Sequence, residues 1–234
     1  MKNNTLIFTA TYNESQNITN FLDSIYKQNI KADILIIDDN SPDKTWKIIK
    51  DYSEVRKNLH LIIREKKEGL DTAHKHAYKF SCENNYDFLI TLDADFTHDT
   101  NQISEFINEV KNNDFVIGSR YMKGGKTDIT GWRLLLSYVA NRFIKFIFGI
   151  NCNEFTSSFR AFNLTRLKKF DLNMISSKGY SFFMETIYQI DKNNFVIKEI
   201  PIHARQRSKG KSKIDRIEIF RTVINVFRLK LKQK

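Results

Sequence analysis

The sequence predicts an α/β fold with a mostly parallel sheet flanked by helices, and two observations carry that expectation. Short β-branched runs alternate strictly with amphipathic stretches through the first half of the chain, the pattern of successive βαβ units. Polar clusters fall just beyond the runs, where open α/β sheets bind their ligands. In order, strands are expected at Leu6–Ala10, Ile34–Ile37, Leu59–Arg64, Phe88–Leu92 and Phe115–Gly118. Between them helices are expected at Asn17–Gln28, Asp43–Val55, Leu70–Asn84 and Thr100–Asn112. After about residue 120 the rhythm changes. A Gly124-Gly125 loop leads into a helical segment in which Trp132, Leu135, Leu136, Val139, Phe143, Phe146, Ile147 and Ile150 recur at three- and four-residue spacing. Ser157–Phe162 reads as a strand, Tyr180–Lys192 as a helix and Phe195–Ile200 as a further strand. The polar, basic run from Arg205 to Lys213, centred on Gly210, reads as a mobile loop. A last helix carries Ile214, Ile217, Phe220, Ile224, Phe227 and Leu231 on its apolar face.

With 234 residues, 41% of them hydrophobic, the chain is long enough to bury a core and too apolar to be disordered. Two prolines and eight glycines exclude collagen-like or proline-rich composition. Cys82 and Cys152 form no C-x-x-C pair, which argues against a disulfide scaffold or a cysteine zinc site and for a reducing compartment. Met1 to Thr5 run directly into a strand-like segment, so no secretory signal is expected. The longest apolar stretch, Leu134 to Ile150, is interrupted by Asn141, Arg142 and Lys145 and is too short and too charged to span a bilayer. A cytoplasmic protein is expected. Its net charge of +11 is concentrated at one end: the final 34 residues carry eleven Lys and Arg against Asp215 and Glu218, a local balance of +9. Such a tail suits nucleic acid, an anionic membrane surface or a phosphate-bearing substrate, and is otherwise a solvated helix.

The polar clusters are Thr11-Tyr12-Asn13-Glu14, Asp38-Asp39-Asn40-Ser41 and Asp93-Ala94-Asp95. Carboxylates two residues apart just past a strand end can turn toward one point. A hard divalent cation such as Mg2+ or Mn2+ takes oxygen ligands of this kind together with waters and substrate phosphates. Acidic loops also cap helices, but Asp38 and Asp39 stand at the same sheet edge as Asp93 and Asp95. Two acidic clusters there repel unless a cation or a hydrogen-bonding ligand lies between them. The absence of G-x-G-x-x-G and of a Walker phosphate loop argues against a Rossmann dehydrogenase or a P-loop NTPase. His74 and His76 lie two apart on a predicted helix and cannot face one ion together; with His98 they read as surface or loop residues.

Thr11 to Glu14, Ile37 to Asp43 and Asp93 to Asp95 together resemble the signature of the family 2 inverting glycosyltransferases with the GT-A fold, and more closely their dolichol-phosphate mannose synthase branch. Further matches follow in the same order: Gly118 to Tyr121, Gly131 to Arg133 with Ser137 and Ala140-Asn141, Thr156 to Arg160, Ser177 to Tyr180, Met184-Glu185, and Arg207 with Gly210, Ser212 and Lys213. The resemblance implies a Rossmann-like GT-A domain over residues 1–234, with about residues 1–118 as a nucleotide-sugar half and about 119–234 as an acceptor half. It implies that Thr11, Tyr12, Glu14 and Asp38 or Asp39 hold the nucleoside. Asp93, Ala94 and Asp95 would then hold the sugar-nucleotide diphosphate, with Asp93, Asp95 and Thr97 at the Mg2+ or Mn2+ ion. Arg207 and Lys213 would close on that diphosphate, and Arg120, Arg133 and Ser137 would bind the acceptor phosphate, so that Asp95, Arg120 and Arg133 carry the catalysis. Glu154 and Ser158 stand where the family has Asp and Gly before Phe159-Arg160.

The implied reaction is transfer of a sugar, foremost mannose from GDP-mannose and otherwise a sugar from a UDP donor, to a polyprenyl phosphate. A guanidinium fork matches a phosphate, and a phosphate acceptor is already an anion that needs no strong base. Because such an acceptor lies in a bilayer, the helices Trp132–Ile150 and Ile214–Leu231, which pair apolar faces with Arg and Lys, are expected to touch the cytoplasmic face of a membrane or an integral-membrane partner. Two other readings stand beside this one. Transfer to a sugar hydroxyl needs a general base, for which Glu154 and Glu185 are the candidates. A non-catalytic basic module lacks the interleaved aromatics or zinc pattern of a nucleic-acid binder.

Overall fold

The computed structural model describes residues 4–207 and 216–231. In chain order the first half contributes β1 (Thr5–Thr11), α1 (Ile18–Tyr26), β2 (Asp33–Asp38), α2 (Thr45–Val55), β3 (Leu59–Ile63), α3 (Leu70–Glu83), β4 (Phe88–Thr91), α4 (Ile103–Val110) and β5 (Phe115–Ser119). The second half contributes β6 (Lys126–Thr127), α5 (Gly131–Phe148), β7 (Arg160–Asn163), α6 (Tyr180–Lys192), β8 (Ile197–Pro201), β9 (His203–Ala204) and α7 (Arg216–Leu231).

Among the described residues, seven strands form one sheet in the order β3-β2-β1-β4-β7-β5-β8, with β6 and β9 paired separately. β1 runs parallel to β2 on one side and to β4 on the other, and β8 runs parallel to β5. β7 is antiparallel to both its neighbours. It comes from the second half of the chain yet sits between β4 and β5, so the two halves share one sheet. From β1 the chain winds outward through β2 and β3, then returns to β4 on the opposite side of β1. The crevice beyond the carboxyl ends of β1 and β4 is therefore the switch point at which open α/β sheets take ligands. The polar clusters at residues 11–14 and 93–95 follow those two strands.

Alternate side chains of each strand enter opposite layers, because successive residues of a strand point to opposite faces. Leu6, Phe8, Leu35, Ile37 and Leu89 pack with Ala73 and Ala77 of α3 and with Phe182 and Phe183 of α6. Ile7, Ile34, Ile36 and Ile90 pack with Phe21 and Leu22 of α1 and Phe106 of α4. Burial on both faces is why the strands read as apolar runs. His74 lies inside the first layer, against the rings of Phe8, Phe182 and Phe183. The expectation of a surface histidine is wrong there: burial pushes its pKa down to about 3.

α5 and α7 pack together, with Phe143 edge-on to Phe227. α5 ends at Gly149, in the left-handed region at φ 71°, whose N–H bonds the Lys145 carbonyl at 2.9 Å. Each helix buries part of its apolar surface, Ile144 and Phe148 on one and Val226 and Leu229 on the other. Trp132, Leu135, Val139, Phe146, Ile224 and Leu231 face outward, Phe146 with 83% of its surface exposed. No helix among the described residues is long and apolar enough to cross a membrane.

Candidate active site

The ends of β1 and β2 are locked to each other. Thr11 and Asp38 are partners in the parallel register, and Thr11 Oγ1 donates to Asp38 Oδ2 at 2.7 Å. Ser41 adds its N–H to Oδ1 at 2.8 Å and its hydroxyl to Oδ2 at 2.7 Å. Asp38 is fully buried, so this carboxylate braces the turn after β2. Asp39 instead accepts Arg64 Nη1 at 2.9 Å and the Gly69 N–H at 3.0 Å. Gly69 sits at φ 99°, a conformation open to glycine and strained for other residues, and the 64–69 loop is thereby held beside the site. Lys67 of that loop lies over the Tyr12 ring, its Nζ 4.2 Å from the centroid.

Beyond β4, Ala94 is a buried small spacer between two carboxylates. Asp95 Oδ1 accepts the Thr97 N–H at 3.0 Å and the Thr97 hydroxyl at 2.7 Å, which fixes its orientation. Asp95 Oδ2 lies 2.9 Å from Arg207 Nε, and Arg207 Nη2 donates to Glu14 Oε1. One guanidinium thus bridges the acidic groups that follow β1 and β4, across the switch-point crevice. The stem of the basic segment is tied to the same place: the Arg205 N–H bonds the Thr97 carbonyl at 3.0 Å, and its guanidinium pairs with Asp99. Lys213 and the rest of the expected loop from 208 onward lie outside the described residues.

Asp93, the first carboxylate after β4, keeps 40% of its side-chain surface accessible. Partial withdrawal from water and the nearby Asp95 charge push its pKa up, against the pull of His98 and Arg207. His98 is not a surface residue. It is buried, tilted on the Phe159 ring, and its Nδ1 accepts the Asp93 N–H at 3.3 Å. Burial lowers its pKa; Asp93, Asp95 and Glu154 act to raise it and Arg120 to lower it. Asp93 lies beside this ring, its Oδ2 3.9 Å from Nδ1. Carboxylate and hydroxyl oxygens are the donors that a hard divalent ion takes, and Asp95 already faces a cationic side chain.

Arg120 follows β5 and is held by a buried partner. Its Nε and Nη2 donate to Glu154 at 2.7 and 2.9 Å, and Nη2 also reaches Thr156 Oγ1 at 3.0 Å. Gly125 closes the loop after β5 so tightly that a Cβ there would lie 2.6 Å from the carbonyl oxygens of Ser119 and Arg120. Tyr121 carries the connection onward: its hydroxyl donates to Ser137 at 2.8 Å and its ring meets Tyr138 edge-on. Arg133, one turn before Ser137 on α5, is exposed with its guanidinium 5.8 Å from the Trp132 ring. Tyr121 thus links the end of β5, where Arg120 lies, to Ser137 on α5.

The two carboxylates considered as general bases are both engaged. Burial would raise the Glu154 pKa, but Arg120 and Thr156 outweigh it and hold it below the ordinary range. Glu185 accepts the backbone N–H groups of Ser176 and Ser177 at 3.1 and 2.7 Å.

Comparison with known proteins places this fold in a class of transferases. The family described as "Glycosyl transferase family 2" matches residues 6–170, and the chain belongs to it. Among individual relatives, the polyprenol monophosphomannose synthase of Mycolicibacterium smegmatis is 32% identical over 213 residues, 90% of this chain and 80% of that protein. The undecaprenyl-phosphate mannosyltransferase of Micrococcus luteus is 30% identical over 230 residues, 95% of this chain and 92% of that one. The fold is that of the GT-A glycosyltransferases. A mannosyltransferase of Pyrobaculum calidifontis, solved with GDP-Man and Mn2+, superposes with a TM-score of 0.63 at 14% identity, covering 99% of this chain and 65% of that one. Glucosyl-3-phosphoglycerate synthase of Mycobacterium tuberculosis, solved with UDP, superposes with a TM-score of 0.64 at 14% identity, over 97% of this chain and 79% of that one.

Proposed function

We propose that this glycosyltransferase moves mannose from GDP-mannose to a polyprenyl phosphate, with inversion at the sugar. The observation that carries this reading is the Arg207 guanidinium held between Glu14 and Asp95, the acidic groups that follow β1 and β4. It supports a donor side at the ends of β1 and β4, with the acceptor side assigned to Arg120 and α5. On the donor side, Tyr12, Glu14 and Asp39 would line the nucleoside, while Thr11 and Asp38 hold the turn. Asp93 and Asp95 would hold Mg2+ or Mn2+, with Thr97 orienting Asp95; the ion would neutralise charge on the leaving diphosphate. Arg207 would leave its Glu14–Asp95 bridge and turn to that diphosphate. On the acceptor side, Arg120, Ser137 and Arg133 would hold the lipid phosphate. Its oxygen bonds to the anomeric carbon as the bond from that carbon to the nucleoside diphosphate breaks, and no proton has to be removed.

The polysaccharide-type alternative needs a free general base, and the engagement of Glu154 and Glu185 speaks against it. The outward apolar residues of α5 and α7, flanked by Arg133, Arg142, Arg228 and Lys230, support contact with an anionic bilayer at its cytoplasmic face.

The donor side is tested by titrating GDP-mannose and a UDP-sugar in the presence of Mn2+ while following amide exchange. We expect tighter binding of the guanine nucleotide and slower exchange at Arg205–Arg207 when it is saturating. Preference for the UDP-sugar would reassign the donor. Unchanged exchange at saturation would remove the closing role of Arg207.

A further inference from the structure

The segment from Cys152 to Thr156 is a junction. Asn141 Oδ1 of α5 accepts the Phe155 N–H at 2.7 Å, and Lys145 of the same helix donates to Asn153 Oδ1 at 2.8 Å. From the opposite side, β8 contributes Glu199. Its Oε1 accepts the Asn153 N–H at 2.8 Å and the Glu154 N–H at 3.1 Å, and its Oε2 accepts Asn153 Nδ2 at 2.8 Å. A single carboxylate thus fixes two consecutive peptide groups and one side chain. The residue it fixes is Glu154, which in turn grips the Nε–Nη2 edge of Arg120. Arg120 is needed in one orientation, because with Nε and Nη2 bound to Glu154 and Thr156 only the donors of Nη1 are left to face a phosphate.

We infer that Glu199 is a positioning residue for Arg120. It sets the height of the Glu154 backbone, and hence the direction in which the guanidinium faces the acceptor. A carboxylate suits this task because it accepts from several N–H groups at once. Glutamine keeps the size but turns one of the two acceptors into a donor, which opposes either the Asn153 side chain or the two peptide groups.

The functional arm of the test rests on Arg120 binding the acceptor phosphate; the spectroscopic arm does not. In Glu199→Gln the Arg120 Nε–H resonance of 15N-labelled protein should shift and exchange faster with solvent. The KM for polyprenyl phosphate should rise about tenfold, with the donor KM within about twofold of wild type. In an Arg120→Lys background the same change should add little, since a residue acting through Arg120 has nothing left to position. An unmoved Arg120 resonance overturns the proposal, as does an effect that persists undiminished in Arg120→Lys. A moved resonance with an unmoved acceptor KM upholds the positioning and overturns the acceptor role of Arg120. Should Glu199→Gln fail to fold, Asn153→Ala, which removes the Nδ2 contact, is carried through the same measurements.

Discussion

Asp95→Asn is expected to lower kcat by at least about 100-fold, roughly 2.7 kcal/mol of transition-state stabilisation, while leaving the fold intact. The asparagine oxygen still accepts from the Thr97 N–H and hydroxyl, so the turn after β4 keeps its bonds. What is lost is the negative charge that faces Arg207 at 2.9 Å and that a divalent ion would take. Mn2+ affinity should therefore fall together with kcat, while the circular dichroism spectrum and thermal midpoint stay near wild type. A folded Asp95→Asn protein with most of its metal-dependent activity would remove Asp95 from the metal.

Arg133→Ala is expected to raise the KM for polyprenyl phosphate at least about tenfold and to leave donor binding unchanged. Arg133 is exposed beside the Trp132 ring, so its removal leaves the core untouched. Measuring both Michaelis constants separates the two sides of the site. An equal loss on the donor would move Arg133 to the nucleotide, and no loss on either would return it to the solvated surface of α5.

Most element positions were legible because they follow local periodicity. The helix expected at Tyr180–Lys192 is α6 residue for residue, and the early strands agree within about two positions. The placement of β7 was not legible, because strand order depends on which edges remain open once the first half has folded. His74 could have been read better. It recurs with Ala77, Tyr78 and Ser81 on the buried face of α3, the spacing of a core stripe. The two-residue spacing that keeps His74 and His76 from facing one ion leaves the burial of either ring open. The acidic positions 93 and 95 stood out because the local chain alone brings them together. The links from Glu154 to Arg120 and to Glu199 did not, since those partners are 34 and 45 residues away in sequence and only the folded sheet makes them neighbours. The same holds for Arg64, whose pairing with Asp39 spans 25 residues.

The most direct test is transfer of labelled mannose from GDP-mannose in anionic vesicles that carry either a polyprenyl phosphate or the matching unphosphorylated prenol. A mannosyltransferase acting on a lipid phosphate should float with both vesicles, and label should enter the lipid only where the phosphate is present and only with Mg2+ or Mn2+ added. Label on the free prenol or on a neutral sugar acceptor, with none on the polyprenyl phosphate, would contradict that function.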